Sequence, residues 1–233
     1  MATTIAAWNA DSHSERRGGV LMGAIDDSVA LWSAPECERR GRPLVILLHG
    51  AGGHEGDMGS LFELLPPSHV AVSLRATRRC GDGQSWLGAI NTDADLANEL
   101  DAAATDLLNW IAAHQADSSH LGIIGWSQGG AVALQVLRLS PVTPAFVVTL
   151  AGFTGGSVRA ADAELTRLRP PVFWGHGDAD DVIPPQDTAR LSSFLRAHTT
   201  LTEGEYRGVG HEISSAERRD VRAFVAANDE QSR

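Results

Sequence analysis

The strongest indication of chemistry in this chain is the pentapeptide Gly-Trp-Ser-Gln-Gly at residues 125–129. It directly follows the apolar run 121–124 and precedes a helical pattern, so Ser127 is expected at a sharp strand-to-helix turn. Glycines remove Cβ atoms from such a turn, which leaves the serine hydroxyl projecting into the crevice above the strand. The free N–H groups of the following helix point to the same place, where they stabilise growing negative charge. A glycine-rich turn with an incidental serine is the alternative, but the strand–turn–helix setting favours a nucleophile.

A nucleophilic serine needs a base near neutral pH, and that base needs a third group to hold its tautomer and stabilise the imidazolium. His211 is the best placed of nine histidines, because it lies in a loop between the strand-like run 201–206 and the last helical segment. His176 also follows a strand-like run, but we interpret it as a histidine held by backbone hydrogen bonds. The acid is expected among Asp178, Asp180 and Asp181. These residues predict a Ser–His–Asp triad.

A glycine-rich segment, Leu-His-Gly-Ala-Gly-Gly at 48–53, follows the first buried strand candidate. Loops of this kind donate one backbone N–H to an oxyanion, and the residue after the nucleophile donates the other, which predicts the amides of Ala51 and Gln128. Losing one such donor costs about 3 kcal/mol of transition-state stabilisation. A phosphate-binding loop is the rival, but the spacing matches neither a dinucleotide fingerprint nor a P-loop. His49 and His54 lack a nearby third ligand, so no metal is expected.

Together these motifs resemble the phospholipase/carboxylesterase family of small α/β-hydrolases, which includes bacterial carboxylesterases and acyl-protein thioesterases. The resemblance runs from about Pro43 to the last helix. It is carried by Leu-His-Gly at 48–50, Gly-Trp-Ser-Gln-Gly-Gly at 125–130, His-Gly-Asp-Ala-Asp-Asp-Val-Ile-Pro at 176–184 and Gly-His-Glu-Ile at 210–213. The chain order Ser, Asp, His is that of α/β-hydrolases. The resemblance implies that Asp180 is the triad acid, with Asp178 as the alternative, and that no cofactor is needed.

The resemblance also implies a substrate pocket. Residues 74–86 are similar to the family's loop in which an arginine and a tryptophan border the substrate, which indicates Arg75 and Trp86. Trp126 is a further candidate wall for the acyl group. For both tryptophans, packing in the core is the competing interpretation. The chain departs from the family in its N-terminal hairpin and in the loop 52–58, and both bear on pocket shape.

A parallel sheet is needed to bring these residues together. The run 44–48 is continuously aliphatic, which is typical of a strand buried on both faces. Similar candidates recur at 70–74, 121–125, 146–151, 172–175 and 201–206, with helices expected at 93–114, 129–139, 185–197 and 214–227. Loops at the carboxyl ends of such a doubly wound sheet form the ligand crevice. Runs 20–25 and 28–32 flank Asp26-Asp27 and predict an antiparallel hairpin. The expected fold is an α/β-hydrolase with helices on both faces of a mostly parallel sheet and no large lid.

Composition and charge narrow the class of protein. With 233 residues, of which 43% are hydrophobic and 21% charged, the chain is expected to form one domain over 1–233, with a polar leader at 1–17. A formal net charge of -10 argues against nucleic acid as a partner. The two distant cysteines predict no disulfide framework, and no run reaches the ~20 apolar residues of a membrane helix. A cytoplasmic location is therefore expected.

Our hypothesis is a serine carboxylesterase that transfers the acyl group of small to medium esters to Ser127 and then to water. The segment between Ala151 and Arg169 is too short for a large lid, so an open site is expected. An acyl thioesterase or lysophospholipase acting on longer chains is the alternative, because the same triad serves both. A non-catalytic α/β-hydrolase that binds a small ligand is the third reading. The expected partner is a small-molecule ester, without membrane insertion, and a homodimer is left open.

Overall fold

The computed structural model describes residues 24–114, 120–156 and 158–230. Its strands are β1 Leu31–Trp32, β2 Leu44–Leu48, β3 Val70–Leu74, β4 Arg78–Cys80, β5 Gly83–Ser85, β6 Leu121–Trp126, β7 Phe146–Leu150, β8 Pro171–Gly177 and β9 Thr200–Tyr206. Seven of them form one sheet in the order β1-β3-β2-β6-β7-β8-β9. All neighbours in it are parallel except β1, which runs antiparallel to β3. The predicted mostly parallel sheet is confirmed.

In the described residues, antiparallel pairing occurs at one edge strand, in one hairpin and in an isolated bridge between Gly53 and Gln84. The edge strand β1 pairs with β3 through Leu31 and Ser73 and through Trp32 and Val72. The hairpin β4–β5 forms a separate two-stranded sheet. Of the predicted N-terminal hairpin, the second run contains β1 at its end. A 3-10 turn at Asp27–Val29, capped by Asp26, begins between the two runs and extends into the start of the second. Most of the first run, like the predicted leader 1–17, lies outside the described residues.

The described residues form five α-helices, which are α1 Asp93–His114, α2 Gln128–Leu139, α3 Asp162–Leu168, α4 Pro185–His198 and α5 Ser215–Glu230. Four of them match predicted segments to within three residues at either end. In the described part of the chain, no helix is long and apolar enough to cross a membrane.

Both faces of the sheet are covered, because successive side chains of a buried strand alternate between two cores. In β2, Leu44, Ile46 and Leu48 belong to the core beneath α1 and α2. Val45 and Leu47 belong to the core beneath α5. The continuous aliphatic run of β2 thus reflects burial on two sides, as predicted.

Helix α3 had no counterpart among the predicted elements. It has seven residues, and Leu165 is its buried apolar residue, so the sequence carries no helical periodicity there. Its first residue, Asp162, is instead held by Arg138 of α2 through two hydrogen bonds of 2.8 Å, both buried. A long-range ion pair of this kind leaves no local pattern in the sequence.

Candidate active site

Ser127 occupies the turn between β6 and α2. Its backbone has φ 54° and ψ -118°, a region that residues with a side chain rarely adopt. The Ser127 N–H donates to the carbonyl of Leu150 in β7 at 2.7 Å, which ties the turn to the neighbouring strand. Strain held in place by the surrounding structure is typical of a functional residue. The sharp turn predicted from the pentapeptide is present.

Glycines flank this turn because the backbone passes too close for a side chain. A Cβ on Gly125 would lie 2.2 Å from the carbonyl oxygen of Gly129. A Cβ on Gly129 would lie 2.2 Å from the carbonyl oxygen of Leu48 at the end of β2. Both distances are far below van der Waals contact, so any larger residue would displace the turn from β2 and the loop that follows it.

Three side chains from separate loops meet at the carboxyl end of the sheet. His211 Nε2 lies 2.8 Å from Ser127 Oγ, and His211 Nδ1 lies 2.8 Å from Asp180 Oδ2. Since a carboxylate only accepts, Nδ1 carries the proton and Nε2 is free to accept from the serine hydroxyl. The side chains of His211 and Asp180 are 12% and 7% exposed, so little water competes with this pair. The arrangement can activate the serine as a nucleophile.

Asp180, the acid that the family resemblance implies, and Asp178, its alternative, have different partners. The other oxygen of Asp180 accepts from the backbone N–H groups of Val182 and Ile183, at 2.8 and 3.0 Å, which fixes the carboxylate toward His211. Asp178 is exposed and accepts from the N–H of Gly208 at 2.5 Å. The geometry therefore favours Asp180 as the partner of His211.

The loop 49–53 lies against the nucleophile, since a Cβ on Gly50 would be 3.4 Å from Ser127 Cβ. The Ala76 N–H donates to His49 Nε2 at 3.1 Å, so the proton of this ring is on Nδ1. That Nδ1–H donates to the carbonyl of Gly50 at 2.6 Å. Burial lowers the pKa of His49, which keeps the ring neutral and this pattern intact.

The orientation of the Gly50 carbonyl determines where the Ala51 amide points. In a trans peptide the C=O and N–H point in opposite directions, so the Ala51 N–H faces away from the His49 ring. Gln128 is the first residue of α2, and its N–H has no acceptor within the helix. Among the described residues, neither amide donates a hydrogen bond, so both are available to an oxyanion.

The three predicted pocket residues have different environments. The Trp126 ring is 5.2 Å from the His211 ring between centroids and packs on Gly50, so it borders the site. Arg75 forms a bidentate ion pair with Glu55 of the loop 52–58, with both hydrogen bonds at 2.5 Å. Trp86 is 3% exposed and belongs to the core. Burial favours the packing interpretation for Trp86, and the partner of Arg75 was not predictable from sequence.

Metal-dependent chemistry would need a group of ligating side chains at this site. Within the described ranges, no cluster of three His, Cys, Asp or Glu side chains is arranged to hold a metal ion. The ring nitrogens of His49 are both engaged with backbone groups, as described above.

Glu217 is a buried carboxyl group that follows the loop of His211. Its side chain accepts from the Ser214 N–H at 3.2 Å, and its own N–H donates to Ser214 Oγ at 3.1 Å, which makes a capping box at the start of α5. A Cβ on Gly175 would lie 2.2 Å from Glu217 Oε1, so the carboxyl group lies against β8. Burial raises the pKa of Glu217 to about 7. Glu217 was not among the predicted site residues, although Ser-x-x-Glu at 214–217 is a recognisable helix-start signal.

The raised pKa predicts a pH-dependent stability. Between 4.5 and about 7 the folded protein keeps a proton on Glu217 that the unfolded chain releases, so stability falls as pH rises through this window. Glu217→Gln keeps a capping side chain without the charge. The variant is expected to match the wild type at about pH 4, below the unfolded pKa, and to exceed it by about 3 kcal/mol in unfolding free energy at about pH 8. Urea unfolding at both pH values measures this, and a difference that does not change with pH would contradict it.

Comparison with known proteins finds a matching family model, related sequences and solved structures of similar fold. Residues 35–229 match the model of the family described as Phospholipase/Carboxylesterase. The chain is 29% identical over 206 residues to acyl-protein thioesterase 1 of Kluyveromyces lactis, covering 78% of this chain and 90% of the relative. The fold is similar to the carboxylesterase of Bacillus cereus, with a TM-score of 0.70 and 17% identity over 85% of this chain and 93% of the other. It is similar to acyl-protein thioesterase 2 of Zea mays, with a TM-score of 0.68 and 23% identity over 85% and 98%.

Proposed function

Since the chain belongs to the phospholipase/carboxylesterase family of hydrolases, we propose that it is a serine carboxylesterase acting on small to medium carboxylic esters. The observation that supports this most is the unbroken set of hydrogen bonds from Ser127 through His211 to Asp180, both at 2.8 Å. The esterases and thioesterases among its relatives are consistent with this chemistry.

In the first half of the proposed reaction, His211 takes the proton of Ser127 as the serine oxygen attacks the ester carbonyl. The carbonyl oxygen becomes an oxyanion, which the amides of Ala51 and Gln128 stabilise. His211 then gives its proton to the alcohol oxygen as the ester C–O bond breaks, which leaves the acyl group on Ser127. In the second half, His211 takes a proton from water, the hydroxyl attacks the acyl-enzyme, and the acid leaves as the proton returns to Ser127.

The connection between β7 and β8 supports the proposed size of the substrate. In its described residues, this connection contains the seven-residue α3 and loops on either side. A segment of this size does not form a large lid, which supports an open site that takes small and medium esters. We place the enzyme in the cytoplasm, which the two free cysteines, Cys37 and Cys80, support.

A second candidate is hydrolysis of longer acyl esters or thioesters. It is favoured by the similarity to proteins named acyl-protein thioesterase from Kluyveromyces lactis and Zea mays. The same triad serves an oxygen or a sulfur leaving group, so the triad residues do not distinguish an esterase from a thioesterase.

The acyl-chain profile tests the proposed function. For p-nitrophenyl esters from acetate to palmitate, kcat/KM is expected to be highest for short to medium chains. A maximum at palmitate, or a preference for acyl thioesters of matched length, would favour the second candidate. Absence of turnover with every ester and thioester would overturn both.

A further inference from the structure

Trp86 connects the two halves of the candidate oxyanion hole from within the core. We propose that it is a positioning residue, which holds the Ala51 amide in place relative to that of Gln128 without touching the substrate. This inference rests on the proposed function, since it assigns a role within the same site. In this role, the buried Trp86 would affect catalysis in a way that neither a pocket wall nor a plain core residue would.

Two hydrogen bonds carry the proposal. The indole N–H of Trp86 donates to the carbonyl of His49 at 2.8 Å. The backbone N–H of Trp86 donates to the side-chain Oε1 of Gln128 at 2.7 Å. One bond therefore reaches the loop that carries Ala51, and the other reaches the residue that follows Ser127. At 3% exposure, Trp86 is too buried to contact a substrate directly.

The bond to His49 acts at the start of the loop 49–53, whose far side is held by other hydrogen bonds. The loop is rich in glycine, and Gly52 has φ +74°, so its peptide planes have several accessible orientations. Trp86 fixes the His49–Gly50 peptide, and the His49 ring fixes the next one through the Gly50 carbonyl. Two successive peptide planes are thus held. Rotation of the second would turn the Ala51 N–H away from the oxyanion.

The hairpin β4–β5 brings Trp86 to this position and holds the far side of the same loop. Gly52 N–H donates to the Gln84 carbonyl, and Gln84 N–H donates to the Gly53 carbonyl, both at 2.8 Å. The hairpin is itself fixed to α1, because Glu99 accepts from Arg78 and from the Gly88 N–H, both at 2.8 Å. The loop 49–53 is therefore held by hydrogen bonds to the hairpin, and its own glycine-rich sequence does not hold it.

Exchange of a single atom group tests the proposal. Replacement of Trp86 by 3-benzothienylalanine substitutes sulfur for the indole N–H and keeps the ring shape, so the carbonyl of His49 loses its donor. Trp174 is a matched control, because it is 1% exposed and its indole nitrogen has no hydrogen-bond partner among the described residues. Trp86→Phe is the second variant at the test position. Active sites are counted by fluorophosphonate titration, so that misfolded protein does not enter kcat.

The Trp86 replacement is expected to lower kcat per titrated site by about 10- to 100-fold with KM nearly unchanged, because the hole acts on the transition state. Affinity for an alkyl boronic acid, which forms a tetrahedral adduct on the serine, should fall by the same factor. The Trp174 replacement should change kcat less than about threefold. Unchanged kcat in the Trp86 variants, or an equal loss at Trp174, would overturn the proposal.

A wild-type protein without turnover would refute the proposed function, and amide hydrogen exchange would then decide the role of Trp86 alone. Exchange in the peptide covering residues 49–53 is expected to be faster in the Trp86 variant than in the wild type and the Trp174 variant. Equal exchange in all three would show that Trp86 does not hold this loop.

Discussion

Replacing Ser127 with alanine is expected to lower kcat for p-nitrophenyl acetate by about ten-thousand- to a million-fold, to a level set by binding and the oxyanion hole alone. The reason is that the hydroxyl at 2.8 Å from His211 Nε2 is the only atom group in the turn that can form the acyl-enzyme. Removing it leaves His211 and the backbone donors without a nucleophile. The measurement is kcat by spectrophotometry on purified protein.

The control is Ser193→Ala. Ser193 is exposed on α4, where its hydroxyl donates to the Ala189 carbonyl rather than to a residue of the triad. This variant is expected to keep full activity. Retention of more than about one-hundredth of the activity by the Ser127 variant would be incompatible with an acyl-enzyme at this position.

Asp180→Asn is expected to lower kcat by about ten-thousand-fold at neutral pH. An asparagine amide can donate to His211 Nδ1, which would leave the imidazole proton on Nε2, where it can no longer accept from Ser127. The variant also loses the negative charge that stabilises the imidazolium. The loss should appear in kcat rather than in KM, because it concerns a charge that forms only during reaction.

Asp178→Asn is the matched control for that prediction. Asp178 lies two residues earlier in the same loop, is exposed, and bonds to the Gly208 N–H rather than to His211. Its replacement is expected to change kcat by less than about fivefold. If Asp178→Asn caused the large loss and Asp180→Asn the small one, the assignment of the acid would be reversed.

Sequence patterns predicted those features that depend on neighbouring residues. The run 44–48 became β2 without a shift at either end, and 93–114 became α1 in the same way. The turn at Ser127 was predictable because the strand, the glycines and the helix that create it are contiguous. The chain belongs to the family that the motifs resembled.

Features that depend on contacts between distant segments were not predictable in the same way. The family resemblance favoured Asp180 over Asp178, but their similar sequence surroundings do not distinguish the two. In the fold it is Asp180 that faces His211, 31 positions along the chain. The bonds from Trp86 to His49 and Gln128 span 37 and 42 residues. Such bonds impose no periodicity and little composition bias, so the sequence indicated a pocket wall or core packing for Trp86 and neither of these two bonds.

Covalent labelling by a fluorophosphonate tests the central claim most directly, because it needs both the serine hydroxyl and its base. Mass spectrometry of the digested protein is predicted to find the adduct on Ser127 in the wild type, and none in His211→Ala treated for the same time. An adduct on another serine, or no adduct in folded wild-type protein, would contradict the account and favour an α/β-hydrolase fold that binds a small ligand without catalysis.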